Sequence, residues 1–168
     1  MLQSQLDPEP TVAALHHDQF DAFYRAKWRD VYRALAAVLR DADLAQEAAD
    51  EAMARAFQHW RSVQRMDNPA GWVYRVGLNW ARSRIRRAQR ERTGGAVATT
   101  REPEPLLVDP EIHAALATLP FKQREIVVLH YLLDLTSPRI AAMLDIPEGT
   151  VKSRLHRALD TLRREVSP

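Results

Sequence analysis

Between Thr93 and Pro110 the chain loses all periodicity, and that break limits what it can fold into. The stretch holds Gly94-Gly95, Thr99-Thr100 and prolines at 103, 105 and 110, and its Glu-Pro-Glu-Pro run favours an extended backbone. So long an unstructured run inside one compact domain would be unusual. On both sides of it, apolar residues recur at helical spacing. Phe20, Phe23, Tyr24, Val31, Leu35 and Val38 form one stripe, and Leu44, Ala48, Ala52, Ala56 and Trp60 form a second. The pattern predicts further helices over Asp43–Trp60, Ala70–Arg90 (behind Asn68-Pro69), Glu111–Leu119, Phe121–Leu133, Pro138–Leu144 and Glu148–Val166. No strand pattern emerges. The expected fold is all-α, with two small helical domains over 18–92 and 111–166 and a flexible linker over 93–110.

Composition removes several function classes. The chain has no cysteine, which excludes disulfides and thiolate metal sites. Of its five glycines only Gly94 and Gly95 are close together, so no phosphate cradle is present. The six histidines are scattered, and the adjacent His16 and His17 would point about 100° apart on a helix. No catalytic residue, metal site or cofactor is expected. No apolar run approaches the ~20 residues of a membrane span. Met1–Pro10 is acidic and lacks the basic start and apolar centre of a secretory signal, so a cytoplasmic location is expected.

Net charge is only +2, but it is unevenly spread. Residues 71–92 carry seven arginines against the single acid Glu91, whereas residues 1–70 carry eight basic and eleven acidic groups. A basic block in a near-neutral chain suggests a polyanion-binding face, although a merely solvated arginine-rich helix has the same composition. Within the block Arg75, Asn79, Arg82 and Arg86 recur at spacings of four, three and four, which sets an amide among cations on one helix face. Arginines supply phosphate affinity and asparagine can read a base edge. Trp72 and Trp80 offer surfaces for stacking unpaired bases, though Trp80 shares the apolar side with Val73 and Val76 and reads as core.

Near the C-terminus, Ser137 can cap a short helix that Pro138 opens, and Asp145-Ile146-Pro147 breaks it. The longer helix that follows turns Val151, Leu155, Ala158, Leu159 and Leu162 inward and Lys152, Ser153, His156 and Arg157 outward. A short helix, a tight turn and a helix with a basic-polar face make the helix-turn-helix plan, in which the second helix enters the major groove. Lysine and arginine suit guanine edges or phosphates, and serine suits either. Any helical hairpin with a solvated basic face shares this outline.

Particular residues go further. Leu119-Pro120, Gln123-Arg124-Glu125, Ile140-Ala141 and the run Gly149-Thr150-Val151-Lys152-Ser153-Arg154-Leu155-His156-Arg157-Ala158 resemble region four of bacterial RNA polymerase sigma factors. Phe20–Tyr32, Ala45–Phe57 and Asn68–Asn79 resemble successive segments of region two. Over about residues 20–165 the chain resembles a two-domain sigma factor of the extracytoplasmic-function (ECF) type.

The resemblance implies a promoter-specificity subunit that makes and breaks no bond. Its partners would be core RNA polymerase and promoter DNA, with an anti-sigma protein as a conditional third, since many relatives are held inactive that way. Core polymerase would dock on Glu47, Asp50, Glu51 and Arg55. Trp72, Arg75, Asn79, Arg82 and Arg86 would capture the melted downstream (minus-ten) element, and Thr150, Lys152, Ser153, Arg154, His156 and Arg157 would read the upstream (minus-thirty-five) duplex. The linker acids Glu102, Glu104 and Asp109 would mimic nucleic-acid charge along the RNA-exit path, and equally fit a plain solvated tether. The chain departs from the family at Glu47, usually aspartate, at Asp50, usually glutamine, and at Arg139, usually glutamate. Pro138 is also uncommon there. Glu47, Asp50 and Glu51 would form a mutually repelling acidic patch, with Arg55 placed to tether Glu51 or to join the contact. Two other readings stay open: a stand-alone dimeric helix-turn-helix regulator, and a sigma-like module that only sequesters a protein partner.

Overall fold

The computed structural model describes residues 12–92 and 109–166, and they are helices joined by short turns, with no strand among them. The helices are α1 (Val12–Leu39), α2 (Ala42–Gln58), α3 (Trp60–Val63), α4 (Pro69–Arg92), α5 (Pro110–Ala117), α6 (Phe121–Tyr131), α7 (Ser137–Leu144) and α8 (Glu148–Val166). The expected linker falls outside the described residues except for its last two. Asp109 caps α5 by accepting from the Glu111 amide at 2.8 Å, and Pro110 opens that helix.

In the N-terminal half, α1, α2 and α4 pack together and α3 forms a short corner. Alanines make the close packing possible: Ala34, Ala36 and Ala37 on α1 and Ala45, Ala48, Ala49, Ala52 and Ala56 on α2 are all buried. Gly77 on α4 continues this small-residue contact. A Cβ there would lie 3.0 Å from both the Ala48 carbonyl oxygen and Leu35 Cδ1. Alanine buries little area, so aromatics supply the rest. Trp60 packs against Phe20 and Phe23 with ring centroids 5.4 and 5.0 Å apart.

Local chemistry sets the helix ends. Asp41 caps α2 through the Leu44 amide at 2.9 Å, and Asn68 accepts from the Gly71 amide at 2.9 Å at the start of α4. The predicted helix to Trp60 is interrupted, because His59 leaves helical geometry at φ −110°, ψ 20° and α3 begins beyond it. The turn lets Trp60 remain in the core, where the continuous stripe had placed it. Tyr24 differs from its expected core position and is exposed, while Phe23 is half-buried.

In the C-terminal half α6 is the central strut, packed against α8 and α7 and also against α1 of the other half. Contact on so many sides explains why Arg124 through Leu129 are all buried and why α6 shows no one-sided apolar stripe. Thr136, not Ser137, occupies the N-cap of α7, and no side-chain bond closes it. Asp145 ends α7 in the left-handed region, φ 54° and ψ 51°, which forms the tight turn into α8.

Candidate nucleic-acid and polymerase interfaces

On α2, Glu47 and Asp50 are exposed and Glu51 is partly so. The expected repulsion is relieved, because each acid has an intramolecular partner. Glu47 Oε2 lies 3.1 Å from Arg84 Nη2 on α4. Asp50 Oδ1 accepts the Trp28 indole N–H at 2.8 Å. Glu51 Oε1 accepts from Arg55 Nε at 2.7 Å, so Arg55 acts as the tether. Exposed pairs of this kind are worth at most about 1 kcal/mol each, so a partner's cations can replace them. Arg55 also lines a cleft of about 520 Å³ between α2 and α4, with Trp80, Arg84, Arg87 and Glu91.

On α4, Arg75, Asn79 and Arg86 are exposed. Asn68 and Pro69 start this helix, and the Val73, Tyr74, Leu78 and Ala81 side packs into the core, which leaves the other side to solvent. Arg86 donates to Ser83 Oγ at 2.9 Å. Arg82 differs from the other three. It is half-buried and turned toward α6, with Nη2 3.9 Å from Glu125 Oε1 and its guanidinium carbon 4.7 Å from the Phe121 ring centroid. Trp72 is half-buried beside Asn68, Arg75, Arg139 and Met143, in a groove of about 290 Å³. Trp80 is half-buried against the core, with the Arg84 guanidinium 5.3 Å from its ring centre.

On α8, Lys152, Ser153, His156 and Arg157 are all exposed on one side, while Val151 and Ala158 are buried on the other. Lys152 pairs with Glu148 at 2.7 Å, Ser153 Oγ donates to the Thr150 carbonyl at 3.1 Å, and His156 Nε2 lies 3.2 Å from Asp160. Thr150 and Arg154 are half-buried. The charge of Arg154 lies within electrostatic range of Glu125 on α6. At the start of the helix an added Cβ on Gly149 would meet nothing within 4 Å.

Glu125 on α6 lies within reach of Arg82 from α4 and Arg154 from α8. Burial raises its carboxyl above the usual range, and the Arg82 and Arg154 charges pull it back only in part. Tyr74 is fully buried nearby. Its phenol is pushed well up, first by burial and then by Glu125, against the opposing pull of Arg82 and Arg124.

Comparison with known proteins decides the family. Sigma-70 region 2 matches residues 23–91, and Sigma-70, region 4 matches residues 110–162. The ECF RNA polymerase sigma factor SigW of Bacillus subtilis is 30% identical over 81% of this chain and 82% of its own length. The ECF RNA polymerase sigma factor SigL of Mycobacterium tuberculosis is 31% identical over 90% and 88%. The chain belongs to the ECF RNA polymerase sigma factors. The sigma factor RpoE of Bartonella quintana, solved in complex with the anti-sigma factor NepR, shares the fold with a TM-score of 0.73 over 90% of this chain and 99% of that one, at 21% identity. CnrH, solved with the cytosolic domain of CnrY, gives a TM-score of 0.58 over 89% and 86%, also at 21% identity.

Sigma factors regulate transcription initiation. In this one, α1–α4 carry region two and α5–α8 carry region four. Among the described residues no helix is long and apolar enough to cross a membrane. Region two also has an aromatic edge that was not expected from the sequence. Tyr24 and Phe57 are exposed, and Trp28, stacked on Tyr32 at 5.3 Å, holds Asp50. Exposed aromatics beside charges are the composition of an interaction surface. The available signal was the density of aromatics from Phe20 to Tyr32, more than one core-facing stripe can hold.

Proposed function

We propose that this sigma factor binds core RNA polymerase through Glu47, Asp50, Glu51 and Arg55 on α2 and places two DNA readers on one promoter. Region four reads the upstream (minus-thirty-five) element as duplex, through Lys152, Ser153, His156 and Arg157 together with Thr150 and Arg154. Region two captures the downstream (minus-ten) element as melted strand, through Trp72, Arg75, Asn79, Arg82 and Arg86. The observation that carries the reading is Asn79, a solvent-facing amide between the exposed cations Arg75 and Arg86 on α4. Cations there hold the phosphates and the amide reads a base edge. The domains are taken as 18–92 and 111–166, tethered by 93–110.

Each reader alone binds weakly, and joining them on core polymerase makes the second contact effectively intramolecular. Strand opening draws on preference for unpaired strand over duplex, so no bond is made or broken by the sigma factor. An anti-sigma protein is a candidate third partner, since a sigma factor of the same fold was solved with one, NepR. The test is reconstitution. Purified chain plus core enzyme is expected to initiate at specific sites in a genomic library, and sequencing the bound DNA gives both elements. If no site responds, the reading fails.

A further inference from the structure

We infer that region four of the free chain docks on the promoter-strand face of α4, and that Arg82 serves in turn as the latch of this closed state and as a DNA contact. The inference rests on the reading of α4 as a DNA-binding face. Arg82 is the arginine of that face that is half-buried and directed at region four. Both of its partners, Glu125 and Phe121, come from α6 of region four, at 3.9 Å and 4.7 Å.

The contact extends along α4 toward its N-terminus. Tyr74 lies fully buried within the electrostatic reach of Glu125 and Arg124. A turn earlier, Gly71 packs so closely on α7 that an added Cβ would stand 3.2 Å from Met143 Sδ. Trp72 and Arg75 then face Arg139, Ala142 and Met143 across the narrow groove. Three of the five α4 residues assigned to melted DNA are therefore at or beside region four, while Asn79 and Arg86 stay open. A strand laid along the whole face must first displace α6 and α7.

The closed state is built to yield. The Arg82–Glu125 separation is at the edge of ion-pair range and Arg82 is 40% exposed, so salt and water weaken it. Across the groove Arg75 and Arg139 are like charges with Asp67 as the acid among the lining residues, which opposes closure. A polyanion entering there relieves that repulsion and takes over Arg82.

Because the chain lacks cysteine, Asp43→Cys and Glu165→Cys introduce unique dye sites on exposed positions of regions two and four. The full-length labelled chain is expected to show high energy transfer that falls on adding salt. Arg82→Ala, Phe121→Ala and Glu125→Gln should each lower the transfer. Phe121→Ala and Glu125→Gln, which keep Arg82, should also tighten core-free binding to a single-stranded oligonucleotide, roughly three- to tenfold. Arg82 is partly exposed, so Arg82→Ala keeps the test valid if the α6 variants fail to fold. Unchanged transfer in Arg82→Ala overturns the latch. Lowered transfer in Arg82→Ala, with holoenzyme that still opens promoter DNA as well as the parent, overturns the inference that Arg82 passes from latch to DNA contact.

Discussion

Arg84 on α4 reaches Glu47 on α2 at 3.1 Å, joining the helix assigned to DNA with the helix assigned to core polymerase. Both side chains are at least half exposed, so the pair contributes less than about 1 kcal/mol to stability. Arg84→Ala should leave the melting temperature within a few degrees and core affinity intact, since it frees Glu47. Glu47→Arg should leave folding similarly untouched but weaken core binding roughly tenfold or more, as a like charge meets a basic partner surface. Titration of fluorescent sigma factor with core enzyme, beside thermal denaturation, checks both. Equal affinity for core in the two variants would remove Glu47 from the docking surface.

On α4 the amide and the cations should separate cleanly. Arg86→Ala should weaken promoter binding by holoenzyme across all sequences and reduce the salt slope by about one phosphate. Asn79→Ala should leave that slope unchanged and relax base preference in the downstream element, by about 1–3 kcal/mol at one position. Affinities measured against salt concentration on a set of substituted promoters distinguish the two. A uniform loss for Asn79→Ala would deny it a reading role.

The corresponding contrast on α8 is between Lys152 and Arg157. Lys152 is tied to Glu148 at 2.7 Å, whereas Arg157 projects from the same exposed face five residues later. Arg157→Ala should cost about 1–3 kcal/mol of discrimination in the upstream element if it meets a base edge. Lys152→Ala should cost less, because an existing exposed pair must be given up when it binds DNA. Competition assays with mutated upstream elements supply the measurement.

Gly77 tests the helix crossing. A side chain there meets the Ala48 carbonyl oxygen, a backbone atom that cannot move aside as Leu35 Cδ1 can. Gly77→Val should therefore lose about 1–3 kcal/mol. Chemical denaturation of the full chain reads it, and a stability equal to the parent's would contradict the packing described.

Glu125 gives the pH prediction. Its carboxyl is raised by burial, so the folded state holds the proton more tightly than the unfolded chain does. Stability from this group is present below the ordinary glutamate range and is lost as pH rises through the raised value. Glu125→Gln cannot ionise, so its stability should fall less than the parent's as pH rises from about 4 upward, beginning near the ordinary glutamate pKa. Parallel denaturation curves against pH decide this, and identical slopes for the two proteins would sink it.

The helical periodicity, the basic block and the outward set on α8 were legible in the sequence because each is local. A helix has a fixed period, so Lys152, Ser153, His156 and Arg157 must share a side wherever the helix packs. The caps at Asp41, Asn68 and Asp109 also join residues only two or three apart, but they were not read from the sequence, and the cap expected at Ser137 falls on Thr136 instead. The corner at His59 was not legible, because the apolar stripe runs through it to Trp60 and only the packing of Trp60 against Phe20 and Phe23 distinguishes a bend from a continued helix.

The sequence by itself determined which side chains share a helix face, and hence that one chain carries an acidic face and two basic ones. Tertiary structure alone decided which element each face meets. It joined Asp50 to Trp28 across 22 positions, gave Glu47 to Arg84, and turned Arg82 from its own face toward Glu125. Periodicity fixes the direction of a side chain about its own helix axis. What lies in that direction depends on how separate helices exclude water together, and no local pattern contains it.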